Sequence, residues 1–415
     1  MNTNNNNIDN EHIFKLDNGL RIILTQKSRA EIVHCSMMIG AGSSDENIRN
    51  NGIAHFIEHM VFKRTKTRKS FQILNRLETI GGEINAYTTR EKTCFYTSTE
   101  KKYFERSMEL LTDIVFKSVF LEKDIEKEKK VVLEEIEMYE DSPDESIFDE
   151  FHEKIFKGSP LSYNILGKKS TINKFSRKDI LDFMKKNYTT DNIVISIVGS
   201  ISPKKLENVI NKYLKDIPAS KKERKRINST NYKSFVIDLK KKYSQTHCMI
   251  GNIAYSGFDK KRFGLLLLNN VIGGEWMSSR LNMSIREKNA FAYNVNSTYS
   301  IYGSSGLFSV HFGTDIKYLQ RSKNLVDKEF KLLREKKLTK VQLNRSKRQL
   351  KGKYAYINDS NSWLMITKAT NLLEKNYIYT KEEFFSNIEE ITSEGIIKIA
   401  NEVLCEKTLS TLIYK

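Results

Sequence analysis

Apolar runs at residues 13–16 and 20–24 flank Asp17-Asn18-Gly19, the pattern of two strands joined by a tight turn. Residues 32–39 read as a third strand. Between 51 and 62 the apolar residues take helical spacing, and residues 70–80 form a second helix stopped by Gly81-Gly82. The Thr- and aromatic-rich stretch 84–99 reads as extended. Charged helices follow at 103–117, 123–140 and 146–156. Ser176-Arg177-Lys178-Asp179 resembles a capping box and opens a helix running to Lys186. A β-branched run at 193–198 is a strand, and 204–214 a helix.

Pro218 and the polar, basic run 221–234 break this pattern and mark a boundary. The expected organisation is an N-terminal domain over 1–218, a linker over 219–234 and a C-terminal domain over 235–415. His34-Cys35-Ser36-Met37-Met38-Ile39-Gly40 is echoed by His247-Cys248-Met249-Ile250-Gly251, which suits a duplication of two similar halves. Strands and helices mix without strict βαβ alternation, so the expected class is α+β, two similar α+β domains joined by a basic linker.

Composition narrows the function classes. With 415 residues, 39% hydrophobic and 29% charged, the chain is neither disordered nor a small disulfide scaffold. Its net charge of +18 raises nucleic acid as a partner. The excess is mostly Lys, scattered along the chain, and no element interleaves Arg with aromatics, so neither nucleic acid nor membrane is expected as a partner. The one dense run, 221–226, reads as linker. Cys35, Cys94, Cys248 and Cys405 form no CxxC pair, which suits a reducing compartment. The start of the chain shows no apolar signal-peptide core and no run spans a bilayer, so the expected location is cytoplasmic.

The chemistry concentrates in His55-Phe56-Ile57-Glu58-His59. On a helix, positions i, i+3 and i+4 share a face, so both imidazoles and the carboxylate point one way. Two imidazoles are good zinc ligands, and a carboxylate beside them can act on a zinc-activated water. The bland alternative is two core histidines on an amphipathic helix. A catalytic zinc wants a third ligand from another element. The acidic helix with Glu126, Glu128, Glu134, Glu135 and Glu137 is the best source. Periodicity puts Glu128 and Glu135 on nearly one face but does not select between the five.

The order H-x-x-E-H, then Gly81-Gly82-Glu83-Ile84-Asn85-Ala86-Tyr87-Thr88, Glu128 to Glu135 and Asp141-Ser142-Pro143-Asp144, resembles the M16 (pitrilysin, inverzincin) metallopeptidases. The likeness is to the short, two-domain bacterial members, relatives of the mitochondrial processing peptidase catalytic subunit. It continues through Ile165-Leu166-Gly167, 192–199, Ile272-Gly273-Gly274, Met277-Ser278-Ser279-Arg280-Leu281, Ile285-Arg286-Glu287-Lys288 and Ala292-Tyr293. Departures are Glu275-Trp276 before Met-Ser-Ser, and Asn289-Ala290 where the family carries a basic residue and Gly.

The resemblance implies a clamshell-type fold and a zinc-dependent endopeptidase or oligopeptidase acting on extended or unfolded peptides. It implies one Zn²⁺ per chain held by His55, His59 and Glu135, with Glu58 as general base and Glu128 as a supporting carboxylate. Asn85 and Ala86 then lie on the edge strand that takes the substrate, and Arg286 and Tyr293 form a substrate-contacting pair that assists catalysis. It also implies a homodimer, or pairing with another M16 subunit. A non-hydrolytic assembly subunit is the rival reading, but such members lose a ligand or the base, and this chain keeps all four residues.

Overall fold

The computed structural model describes residues 2–4, 11–222, 226 and 231–415. The chain divides into two compact units. The first comprises Met1–Ile136, Tyr163–Ile227 and Tyr356–Ile378, the second Glu137–Ser162, Asn228–Ala355 and Tyr379–Lys415. The change of unit after residue 227 falls inside the expected linker, of which 223–225 and 227–230 lie outside the described residues. The units are nonetheless not the linear domains 1–218 and 235–415, and apolar burial is the reason. The helix Pro143–Ile155 buries Ile147, Phe151 and Ile155 in one cluster with Met249, Leu412 and Tyr414 of the second unit. The helix Asn361–Lys375 buries Ala369 and Leu372 with Ile23, Met38 and Val194 of the first.

The first unit holds a seven-stranded sheet in the order Asn2–Asn4, Glu11–Lys15, Arg21–Gln26, Ile193–Gly199, Ile32–Ile39, Thr93–Glu100, Glu83–Thr88. Only Arg21–Gln26 and Ile193–Gly199 pair in parallel. The second unit holds a five-stranded sheet in the order Val236–Leu239, Ser410–Tyr414, Thr246–Ala254, Gly306–Thr314, Ala292–Ile301, in which only Val236–Leu239 and Ser410–Tyr414 pair in parallel. Counted along the chain from Arg21 and from Val236, five strands of each sheet lie in the order first, last, second, fourth, third. The directions match as well. The two units are thus α+β copies of one topology, and His34 and His247 lie near the start of the same strand of each.

Local signals explain most elements. Gly19, at φ +98°, turns the chain between the first predicted strand pair. Ser176 caps Arg177–Asn187 by accepting from the Asp179 N–H, and Asp179 accepts from the Ser176 N–H in return. The stretch 84–99 is two strands, Glu83–Thr88 and Thr93–Glu100, folded into a hairpin at 89–92. The basic run expected as plain linker is partly structural. Lys222 and Arg226 both bind the buried Asp45 carboxylate, at 2.8 and 2.7 Å. Among the described residues no helix is long and apolar enough to cross a membrane.

The helix Ile53–Met60 is set in place by a contact between two glycines. Gly52, just before it, has φ +97°, and Gly167 has φ +80°. A Cβ on Gly167 would lie 2.5 Å from the Asn51 carbonyl oxygen. Gly167→Ala therefore combines left-handed strain with a backbone clash and should cost about 3 kcal/mol, read as a lower denaturation midpoint at unchanged slope.

Candidate active site

The eight-residue helix Ile53–Met60 buries Ile53, Ala54, Phe56, Ile57 and Met60, so its orientation is fixed by the core. Its first turn is capped from outside the helix. Glu46, fully buried, accepts from the N–H groups of Gly52 and Ala54 and from the Asn51 amide, each at 2.8 Å. That leaves His55, Glu58 and His59 on the remaining face.

The acidic helix Glu122–Asp141 meets this face, and geometry makes the selection that periodicity left open. His55 Nε2 lies 3.7 Å from one Glu135 oxygen and His59 Nε2 lies 3.4 Å from the other. Ligand atoms at 2.0–2.1 Å from a tetrahedral zinc stand about 3.3–3.5 Å apart, so the donor set fits a His₂Glu zinc site. Glu128, two helical turns earlier, does not point at the same spot. It accepts from His59 Nδ1 at 2.9 Å and from Lys63 Nζ at 2.6 Å. This is the geometry by which an outer carboxylate would fix the tautomer and direction of a metal-binding imidazole. Glu126 instead pairs with Lys129, and Glu134 and Glu137 are exposed.

The electrostatics follow from these contacts. Burial and the neighbouring His59 push His55 down to about 4. Burial acts to lower His59 too, but hydrogen bonds to Glu128 and Glu135 outweigh it and hold the ring up at about 9. Glu135 is held below the usual carboxylate range, first by its His59 hydrogen bond. Burial raises the Glu58 carboxyl against the pull of Thr88, whose hydroxyl donates to it from the strand Glu83–Thr88.

Asn85 and Ala86 lie on that same strand, at the edge of the first sheet. Asn85 is exposed, and its side-chain oxygen accepts from the Ala86 N–H at 2.8 Å. Arg286 and Tyr293 lie in the second unit. The Arg286 guanidinium carbon sits 5.3 Å from the Tyr293 ring centroid, and Tyr293 is 85% exposed. Lys63, Thr88 and Glu46 were missed by sequence reasoning. Lys63 follows the motif by one helical turn from His59, a spacing that was a usable signal. Thr88 and Glu46 act through tertiary contacts that carry none.

The pattern described as "Insulinase (Peptidase family M16)" matches residues 21–169, and that described as "Peptidase M16 inactive domain" matches 174–350. A Bacillus subtilis protein named as an uncharacterized zinc protease, YmxG, is 32% identical over 400 residues, covering 96% of this chain and 97% of its own. The mitochondrial-processing peptidase subunit beta of Saccharomyces cerevisiae is 29% identical, covering 95% and 89%. The crystal structure of a protease from Helicobacter pylori superposes with a TM-score of 0.90 at 21% identity, covering 98% and 99%. The chain belongs to peptidase family M16, as a short two-domain member.

The departure at Asn289-Ala290 now has a physical meaning. The segment Asn282–Glu287 is a π-helical turn, and Ala290 closes it at φ +51° by donating to the Arg286 carbonyl oxygen at 2.9 Å. A left-handed closing residue favours Gly. Ala290→Gly should therefore stabilise the protein by about 0.5–1 kcal/mol, the relieved strain less the greater chain entropy of glycine, seen as a raised Tm.

Proposed function

We propose that this chain is a zinc-dependent peptidase that hydrolyses extended or unfolded peptides, with His55, His59 and Glu135 as zinc ligands and Glu58 as general base. The observation that carries the reading is the convergence of both His Nε2 atoms on the Glu135 carboxylate at 3.4 and 3.7 Å, with Glu58 on the same helix face. Zinc held there supplies Lewis-acid polarisation of the scissile carbonyl and makes water a competent nucleophile near neutral pH. Glu58 takes the proton from the attacking water and delivers it to the amine released as the C–N bond breaks. Thr88 holds one Glu58 oxygen and leaves the other for this exchange.

The substrate adds as a strand beside Asn85 and Ala86, where the edge offers main-chain groups. The Asn85 side chain occupies the Ala86 N–H until a peptide carbonyl displaces it. In the dimer, Arg286 and Tyr293 of one subunit present a cation and a phenol to the peptide held at the zinc domain of the other, and Tyr293 assists the oxyanion. The working unit is a homodimer, or a pair with another M16 subunit, in the cytoplasm.

Glu58→Gln should keep zinc and peptide binding and lose turnover by about 10² or more, measured on a peptide library by mass spectrometry. A chelator should abolish activity and Zn²⁺ restore it. Glu135→Gln should lose the catalytic metal equivalent, while Glu128→Gln keeps most of it at reduced activity; the reverse order would reassign the ligand. Glu58→Gln and Tyr293→Phe homodimers should each be nearly inactive; mixed and allowed to exchange subunits, they should recover about a quarter of wild-type activity, since half the dimers are then heterodimers with one intact site of two. No recovery with exchange confirmed separates Tyr293 from a shared site.

A further inference from the structure

Four of the chain's seven histidines fall into two clusters of converging ligand atoms among the described residues. One is the candidate active site. The other lies wholly in the second unit and comprises Asp144, His247 and His311. Asp144 is in the first turn of the helix Pro143–Ile155. His247 and His311 are on the neighbouring strands Thr246–Ala254 and Gly306–Thr314. In the register His247 stands opposite Gly313, so His311 is its diagonal neighbour on the same sheet face.

Both imidazoles are buried, and they stack with centroids 5.5 Å apart and planes 10° apart. His247 Nδ1 and His311 Nε2 are 3.3 Å from each other. One Asp144 oxygen lies 3.0 Å from the first nitrogen and 3.6 Å from the second. Gly313 leaves room for the His247 ring, since a Cβ there would come within 3.2 Å of Cε1.

A His–Asp hydrogen bond needs one imidazole and one line between two atoms. Here three potential metal-ligand atoms close a triangle of 3.0, 3.3 and 3.6 Å, and a single proton serves only one side of it. The sides bracket the separation of about 3.3–3.5 Å that a tetrahedral first-row divalent cation imposes on its ligands. The corresponding distances at the candidate active site are 3.4 and 3.7 Å. Asp144 is 63% exposed, which gives a cation an entry path and leaves its fourth position to water.

We propose that Asp144, His247 and His311 form a second metal site, for zinc or a divalent transition cation of like preference, that ties the start of the helix Pro143–Ile155 to the second sheet. Two imidazoles and a carboxylate favour Zn²⁺ or Co²⁺ over Mg²⁺ or Ca²⁺, which take oxygen ligands. The site is structural. It pins the first turn of a helix whose Ile147, Phe151 and Ile155 sit in the second unit's core.

The test uses the full chain carrying His55→Ala and Glu135→Gln, stripped by a chelator and titrated with Co²⁺ and then Zn²⁺. About one equivalent should still bind, with the visible absorption of four-coordinate Co²⁺, and should raise Tm. Adding Asp144→Asn, at an exposed position that folding tolerates, should weaken Co²⁺ affinity at least tenfold and remove the Tm shift. His311→Gln should do the same. No binding by the starting variant, or undiminished affinity after Asp144→Asn, overturns the proposal. In the otherwise native chain Asp144→Asn should lower total zinc by one equivalent while peptide hydrolysis persists, so the two sites are read independently.

Discussion

A helix of eight residues has to present two imidazoles and a carboxylate on one face while the rest of it is buried in a core. Each of those polar groups is costly in such a place unless it is partnered. The surrounding structure answers this requirement for all of them but the outer nitrogen of His55. Glu46 takes the helix's leading N–H groups, Thr88 takes one oxygen of Glu58, and Glu128 takes the outer nitrogen of His59. Lys63 in turn balances Glu128. These supports leave His55 Nδ1 buried without a hydrogen-bond partner, while the Nε2 atoms of both histidines and the Glu135 carboxylate are directed at one point. The same supports would hold these three side chains in place before a cation arrived, sparing the ordering entropy that binding would otherwise cost.

The duplication shows how little of this is owed to the fold. Both units lay five strands in the same order and directions. In the first, the helix that follows the second strand carries His55, Glu58 and His59. In the second, the helix in that place, Arg262–Gly273, has the sequence RFGLLLLNNVIG and buries Leu265, Leu267, Leu268 and Ile272. One topology thus supports a cluster of ligands in one copy and a plain apolar seam in the other, so function is argued from the side chains and not from the architecture. The second unit still gathers polar side chains elsewhere, in the paired Arg286 and Tyr293 and in the triangle around Asp144.

The sequence by itself determined a good deal. The turn at Asp17-Asn18-Gly19, the capping box at Ser176, the α+β class and the shared face of His55, Glu58 and His59 all follow from contacts within a few residues, which spacing and residue type encode directly. The family likeness extended that reading to residues no pattern selects. Only the tertiary structure decided that Glu135 meets both His Nε2 atoms while Glu128 takes His59 Nδ1, a choice periodicity left open, that residues 137–162 and 356–378 pack away from their linear halves, and that two members of a basic run are locked onto Asp45. The physical reason is common to all three. Periodicity sets which side chains share a face about an element's own axis, but the identity of the surface that face meets depends on burial between segments far apart in the chain. His247 and His311 make the same point: each looks like an ordinary buried strand residue until the sheet register sets them diagonally together and a helix lays Asp144 across both.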